Sequence, residues 1–242
     1  MEGVLLVTRR RSQADEQELQ QVLRASPVFR HGSPEALAAL AAKAAPFDYP
    51  AGSFLMRQGE PASFVLVLTA GEVAIVSPVR GGAEWVHRIV RAGQLIGELA
   101  LLTDGRRTAG ARATSPTTAW AIGRDDFWAF LDAAPGASSA LLRQLADWLA
   151  DREALIDDLL SLDVKGRLAK ALLGLAERYG EPNPAGGIRV TVHLTHRDLA
   201  GMVGASRENV SRALGAFRRR GFIDYESDSL QVLDLDALRR LT

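Results

Sequence analysis

The spacing of apolar positions changes character three times along the chain. Leu19, Val22 and Leu23 fall at i, i+3, i+4, and Leu37, Leu40 and Ala41 repeat that spacing after Ser33-Pro34-Glu35, which predicts two short helices. The residues before about Gln13 carry no such pattern and read as loose. From Phe47 to Ile122 the runs SFLMR, FVLVLT, EVAIVS, WVHRIV and TTAWAI are separated by PAG, QGEP, AGE, RGG and RAG. Short β-rich runs with this glycine and proline punctuation predict an antiparallel roll or sandwich. After Pro135-Gly136 a helical period returns without interruption from about Ser138 to Leu162. Its apolar residues form two overlapping stripes, one of Leu142, Leu145, Leu149, Ile156 and Leu159, the other of Leu141, Leu145, Trp148, Leu155, Leu159 and Leu162. About seven turns of helix with so wide an apolar face do not stand alone in water. Part is expected to cover the roll and the rest to pair with a second copy in a coiled-coil-like seam; the alternative is a single long core helix. Arg152 lies on this face, an unexpected place for a charge.

A third region begins near Asp163: helix VKGRLAKALLGLAERYG, strand GIRVTVHL, two short helices, the hairpin FIDYESDSLQVLDL and a terminal helix. Within it, LTHRDLAGMVGASRENVSRALGAFRRRG is the most specific stretch. Thr195 is suited to cap a first helix, with Asp198 in its first turn and Gly204 as a left-handed stop. Ser206 then caps a second helix running to Gly221. A short helix, a glycine turn and a second helix make a helix-turn-helix, and the hairpin after it reads as a wing. Val210, Ala213, Leu214 and Phe217 form the buried stripe, while Arg207, Glu208, Ser211 and Arg212 lie opposite, near the N-terminal end that enters the major groove in this motif. Arginine offers two donors to guanine and glutamate accepts from the cytosine amino group. Thr195, Ser206 and the helix N-termini suit phosphates. The plainer reading of the same face is a solvated surface tied by a Glu208–Arg212 pair, worth a few tenths of a kcal/mol.

Composition narrows the classes. The chain has 242 residues, 47% apolar and 24% charged, with zero net charge. From Asp163 onward there are 13 basic and 10 acidic residues, leaving 16 and 19 to the rest, so a polyanion is expected to meet the C-terminal part. With no cysteine, disulfides, thiolate metal sites and cysteine-ligated iron–sulfur clusters are excluded. Four scattered histidines (His31, His87, His193, His196) do not suggest a metal cluster. No apolar run approaches the roughly 20 residues of a membrane span, and the N-terminus lacks the features of a signal peptide. A cytoplasmic protein is expected.

Taken together, the chain beyond about residue 20 resembles the Crp/Fnr family of bacterial transcription regulators. VGASRENVSRAL resembles the family's recognition-helix signature, with Arg207, Glu208 and Arg212 at its three base-reading positions. In the cyclic-AMP-receptor branch that triplet implies a TGTGA-type half-site in double-stranded DNA, repeated with two-fold symmetry. The resemblance also implies a homodimer, RNA polymerase as a partner, and allosteric control by a small effector. IGELALLTDGRRTAGARA resembles the phosphate-binding cassette carried by the family's roll. By that resemblance Gly97 would offer its N–H, Glu98 would bind a ribose 2′-hydroxyl, Leu99 would stand at the start of the short helix, and Arg107 and Thr108 would hold a cyclic phosphate. Glu98 and Arg107 pairing with each other is the plainer alternative, and Arg106 is expected to face solvent.

The chain departs from the receptor pattern on the long helix. There the family presents an arginine and a hydroxyl pair to the adenine base, whereas the register of DVKGR puts Trp148, Arg152 and Glu153 at those positions. A buried unpaired arginine costs several kcal/mol, so Arg152 needs water, an acidic partner (Glu153 or Asp151 across a dimer) or an anionic group of the effector. The missing cysteines exclude the oxygen-sensing Fnr branch, and His87 stands without an obvious axial mate for haem.

The expectation is therefore an α+β regulator, not an enzyme. It has an N-terminal extension (1–22), an effector-binding antiparallel β-roll (23–136), a dimerisation helix (137–162) and a winged helix-turn-helix (163–242). The effector is expected to be a cyclic nucleotide such as cyclic AMP, with no metal, haem or iron–sulfur cluster. Rival readings are the same fold without a ligand or with a dicarboxylate, a nucleotide-acting enzyme with Glu98 as base, and a nucleotide-binding module with a protein partner only.

Overall fold

A computed structural model describes residues 7–8, 12–79, 82–184, 186–226 and 229–242. The expectation of a loose start up to Gln13 falls mostly outside these residues. Two compact units are present, Met1–Ser77 with Arg88–Ala150, and Pro78–His87 with Asp151–Thr242.

The first unit opens with α1 (Gln13–Ala25), whose N-terminus is closed by a capping box between Ser12 and Asp15, and α2 (Pro34–Lys43), capped by Ser33 with Pro34 in its first turn. Strands β1 (Val7–Thr8), β2 (Ala45–Tyr49), β3 (Phe54–Met56), β4 (Phe64–Ala70), β5 (Glu72–Pro78), β6 (Glu84–Arg91), β7 (Leu95–Ile96), β8 (Gly110–Ala113) and β9 (Thr117–Gly123) follow, interrupted by α3 (Glu98–Leu102). They form two sheets, ordered β1-β2-β9-β4-β7 and β3-β8-β5-β6. Helices α4 (Arg124–Ala133) and α5 (Pro135–Ser161) complete the series.

Strand β4 shows why the roll holds together. Val65 and Val67 face a core shared with the helices, where Leu19, Leu23, Phe29, Phe127 and Leu141 also lie, while Leu66 and Leu68 face the space between the sheets. Its neighbour β9 does the same with Trp120 and Ile122 on one face and Ala119 on the other. Period-two alternation with both faces apolar places these strands at the centre. Withdrawing each large aliphatic side chain from water contributes roughly 1.5–3 kcal/mol. Strands β2 and β8 escape the pattern because APFDY contains a proline and GARA has almost no β propensity. Pairing of β8 with β3 and β5 holds it extended. α4 is not among the predicted elements, although Phe127, Phe130 and Leu131 keep helical spacing and are buried.

α5 begins at Pro135, earlier than Ser138, since proline fits the first turn of a helix, and it ends at Ser161. Ala137 and Leu141 are buried on the roll. Leu142, Leu149 and Ile156 recur every seven residues and are 67%, 62% and 56% exposed.

In the second unit α6 (Val164–Tyr179) is capped by Asp163 and buries Leu168, Ala169, Leu172 and Leu175. β10 (Gly180–Pro182) and β11 (Ile188–Val190) precede α7 (His196–Val203) and α8 (Arg207–Arg219). β12 (Ile223–Glu226), β13 (Ser229–Val232) and α9 (Leu235–Arg239) follow, and the sheet runs β10-β11-β13-β12. The turn expected between the wing strands lies at residues 227–228, outside the described residues. Arg167 donates from Nε to the Val203 carbonyl at 2.8 Å, a cation at the C-terminal end of α7. The α+β architecture, with antiparallel roll, long helix and winged helix-turn-helix, matches the expectation.

Gly71, at φ 83°, turns β4 into β5, and a Cβ there would overlap the Pro116 carbonyl oxygen and Thr117, whereas Gly52, at φ 84°, faces open space. Gly71→Ala is expected to cost about 3 kcal/mol or more and Gly52→Ala about 1–2 kcal/mol. Urea denaturation measures both, and equal losses would contradict the close approach at Gly71.

Candidate functional site

The cassette is built on a turn that only glycine adopts without strain. Gly97 sits at φ 86° as the N-cap of α3, and a Cβ there would collide with Arg107 Nη1. Glu98, the first residue of α3, is 1% exposed, and its carboxylate accepts from the backbone N–H groups of Glu98 and Leu99. Its other oxygen, Oε2, is buried with no hydrogen-bond partner among the described residues. Burial pushes the Glu98 carboxyl above its usual range, opposed by the charge of Arg88 more than by that of Arg107.

Arg107 is 3% exposed. Its main chain is paired with the Gly59–Glu60 turn, the Arg107 N–H donating to Glu60 O and the Gly59 N–H to Arg107 O, each at 2.8 Å. Nη1 donates to the Gly97 carbonyl at 3.0 Å and Nη2 to the Phe64 carbonyl at 2.9 Å, with the guanidinium 4.6 Å from the Phe64 ring centroid. The arginine is thus held by carbonyls and a ring rather than by a direct ion pair with Glu98, and among the described residues three of its five N–H donors remain. Burial presses its pKa down, while Glu60 and Glu98 hold it up. Tyr49, which feels the Arg107 charge, is pushed up to about 12 by burial, and its hydroxyl also has no partner among the described residues. Leu99 and Thr108 are exposed. Arg106 is exposed as expected, but it donates to the Gly59 carbonyl at 2.9 Å.

Trp148 is half-buried, and the Arg88 guanidinium lies 3.6 Å from its ring centroid. Arg88 is the residue that sequence reading missed. It comes from β6, and nothing local distinguishes it from the other charges of EWVHRIVR; only the packing of strand and helix brings it to Trp148 and within electrostatic reach of Glu98. Arg152, one helical turn beyond Trp148, is exposed in the single chain, so water solvates it and no burial cost arises there.

The reading head is assembled by caps. Thr195 Oγ1 accepts from the Asp198 N–H at 3.2 Å and donates to Asp198 Oδ2 at 2.6 Å, and the Thr195 N–H returns to the same carboxylate. Gly204 ends α7 at φ 60°, and Ser206 Oγ accepts from the Asn209 N–H at 3.2 Å. Val210, Ala213, Leu214 and Phe217 are buried. Arg207, Glu208 and Arg212 are exposed on the opposite side, and Ser211 is half-buried. Arg212 donates to Asn209 Oδ1 instead of forming the Glu208–Arg212 pair, because the Glu208 carboxylate turns back to its own N–H and to Ser206, bonds that lower its pKa.

No helix among the described residues is long and apolar enough to cross a membrane, and no group of three or more His, Asp or Glu among them is placed to hold a metal ion.

Comparison with known proteins agrees with this geometry. A family model described as a cyclic nucleotide-binding domain matches residues 46–134, and one described as a Crp-like helix-turn-helix domain matches residues 166–241. The chain is 35% identical over 222 residues to the CRP-like cAMP-activated global transcriptional regulator of Mycobacterium tuberculosis, covering 92% of this chain and 99% of that one. It is 27% identical over 219 residues to the cyclic AMP receptor protein of Thermus thermophilus, covering 90% and 98%. The crystal structure of a CRP/FNR-family transcriptional regulator from Thermus thermophilus matches with a TM-score of 0.65 at 27% identity, covering 81% of this chain and 97% of that one. These relatives are transcriptional regulators, not enzymes. Cradle, reading head and near-full-length similarity lead to one conclusion: the chain belongs to the CRP/FNR family of transcriptional regulators, with a cyclic nucleotide-binding domain and a Crp-like DNA-binding helix-turn-helix.

Proposed function

We propose that the protein works as a homodimer whose affinity for a palindromic operator is set by a cyclic nucleotide, cyclic AMP being the first candidate. The proposed division is an effector-binding roll at 23–136, a dimerisation helix at 137–162 and a winged helix-turn-helix at 163–242. The observation that carries the reading is Glu98 Oε2, a buried carboxylate oxygen with no partner among the described residues, together with a buried Arg107 that keeps N–H donors unused among them. A ribose hydroxyl satisfies the first and a cyclic phosphate the second. Gly97 and Thr108 belong to the same cradle, with Leu99 at its mouth, and Trp148 and Arg152 would meet the effector's base from α5. Relatives named as cAMP-activated support the nucleotide.

On α5 the heptad of Leu142, Leu149 and Ile156 is matched by Leu145, Arg152 and Leu159. Paired with a second copy, such a seam would bring together four leucines and one isoleucine of each chain for every arginine, and a single polar residue in a seam fixes register at some cost in stability. Effector binding near Trp148 would bias how two copies of α5 pack, and so how two reading heads fit successive major grooves. On DNA, Arg207 and Arg212 would read guanine and Glu208 the cytosine amino group of TGTGA-like half-sites. Ser211 would contact the groove, and Thr195, Ser206 and the first-turn N–H groups would meet phosphates. RNA polymerase is the proposed protein partner, and the cytoplasm the proposed location. A second reading, a non-nucleotide anion such as a dicarboxylate, is favoured by one observation: Arg88 covers a face of Trp148 at a position where the receptor pattern offers groups to adenine.

Arg107→Ala is expected to abolish the effect of cyclic AMP on operator binding and to leave ligand-free binding unchanged, as read by fluorescence anisotropy. An unaltered response would remove Arg107 from the site. Arg207→Ala is expected to cost about 1–3 kcal/mol on the operator and to relax preference at one base of each half-site; a uniform loss across all sequences would reassign it to a phosphate.

Because the folded state raises the Glu98 pKa, it binds that proton more tightly than the unfolded chain. Folded stability therefore falls as pH rises from the ordinary carboxylate value through the raised one. Glu98→Gln is expected to melt a few degrees higher than wild type at pH 7, about 1 kcal/mol being worth roughly 2–4 °C at this length. The difference should vanish below pH ~4, and the variant should lose its response to cyclic AMP. A lower melting temperature at pH 7 would contradict the burial cost.

A further inference from the structure

Ser211 stands in the second turn of α8, between the exposed Arg207 and Arg212. Its Oγ lies 2.9 Å from Nδ1 of His196, the first residue of α7. His196 Nε2 lies 3.4 Å from the Tyr225 hydroxyl on the wing strand β12, and the two rings are 6.2 Å apart at an interplanar angle of 48°. A continuous chain of polar atoms therefore joins the wing, the entry of α7 and the recognition helix. All three residues are half-buried.

A neutral imidazole has one nitrogen that donates and one that accepts, so the chain has two possible polarities. If Tyr225 donates to Nε2, then Nδ1 carries the ring proton and donates to Ser211 Oγ. The serine proton is then turned away from the histidine and is free to donate outward. In the opposite polarity Ser211 gives its proton to Nδ1 and offers only lone pairs. Tyr225 sits partly buried, which raises its pKa and keeps the phenol protonated. The first polarity also suits DNA, whose phosphate oxygens and guanine major-groove edge are acceptors.

We propose that His196 is a positioning residue for DNA reading: bridging Tyr225 and Ser211, it fixes the Ser211 hydroxyl as a donor directed at the DNA. The proposal rests on the reading of Ser211 as a DNA contact. It differs from a purely structural role because it acts through a single hydroxyl, and because only the Nδ1 edge of the ring needs to be reproduced. An asparagine places an amide nitrogen near the Nδ1 position, whereas a glutamine extends to the Nε2 position.

The test uses the full chain with saturating cyclic AMP and the duplex that wild type selects from random DNA, at one salt concentration. Ser211→Ala and His196→Ala are each expected to weaken binding roughly 3–10-fold, the loss of one hydrogen bond. The double variant should bind no more weakly than either single one, His196→Asn should bind within about 2-fold of wild type, and His196→Gln should match His196→Ala. Nitrogen NMR of the wild-type ring should show the proton on Nδ1. Additive losses in the double variant, no advantage of asparagine over glutamine, or a proton on Nε2 would overturn the proposal. Should Ser211→Ala bind like wild type, the Ser211 contact itself falls, an outcome separate from the failure of His196. Melting temperatures of all variants identify any loss that comes from unfolding.

Discussion

Two ionisable side chains of opposite type, Glu98 and Arg107, both buried in the roll, set its terms. Moving Glu98 and Arg107 out of water costs several kcal/mol per ion unless the protein replaces the lost hydration. For Arg107 the replacement is specific: the carbonyls of Gly97 and Phe64, the face of the Phe64 ring, and a main chain locked to the Gly59–Glu60 turn. Each of those groups is itself fixed by the sheets, Phe64 by its pairing with Gly123 at the start of β4 and Gly97 by the strand β7 that precedes it. Glu98 receives less. Two first-turn N–H groups serve the carboxylate, and Oε2 has no partner among the described residues. The roll thus solvates its arginine more fully than its carboxylate, an asymmetry that a hydrogen-bond donor at Oε2 would reduce.

That asymmetry gives Arg88 its importance. Of the surrounding charges it opposes the raised Glu98 pKa most, and at the same time its guanidinium lies over Trp148 on α5. A single side chain therefore couples the cassette electrostatically to the long helix. A group that altered the Glu98 charge balance would alter how strongly Arg88 is held, and with it a contact on α5. Such a link needs no continuous wire through the core, only one arginine that acts on Glu98 through its charge and touches Trp148.

How much of this was legible follows from the range over which each feature is determined. Caps are local: Thr195 and Ser206 each bond an N–H three residues on, so sequence alone placed them. Short β-rich runs between glycine and proline turns showed β4 and β9, and the wide apolar face of α5 implied that only part of it would be covered by the roll. β8 was not legible as a strand, because GARA is extended only through its two neighbours. The cassette could be read as a motif, but its bonding could not. The sequence suggested a Glu98–Arg107 pair as the plainer alternative, and the structure instead gives the arginine to carbonyls contributed by two separate strands and turns. Arg88 with Trp148, and His196 with Ser211 and Tyr225, are meetings of residues remote in sequence, and no local pattern marks any of them.

The caps also bear on how a reading head is shared between folding and recognition. Thr195 gives its hydroxyl proton to Asp198, so to donate to a phosphate, as proposed above, the hydroxyl would have to turn away from that carboxylate. Ser206 accepts from Asn209, and the Glu208 carboxylate leans on Ser206 and on its own N–H. The groups that secure the two helix entries are therefore partly occupied before DNA arrives. What stays uncommitted at the surface is chiefly cationic: Arg207 is exposed, and Arg212 is tethered only to the side chain of Asn209. Releasing that tether, a hydrogen bond from a charged guanidinium, costs about 1.5–3 kcal/mol, the same range as the roughly 1–3 kcal/mol of discrimination that a two-pronged contact to guanine supplies. On the DNA contacts proposed above, Arg212 would exchange its Asn209 partner for a base at little net cost. Discrimination would then rest on the two arginines, while the capping hydroxyls keep both helix entries formed in either state.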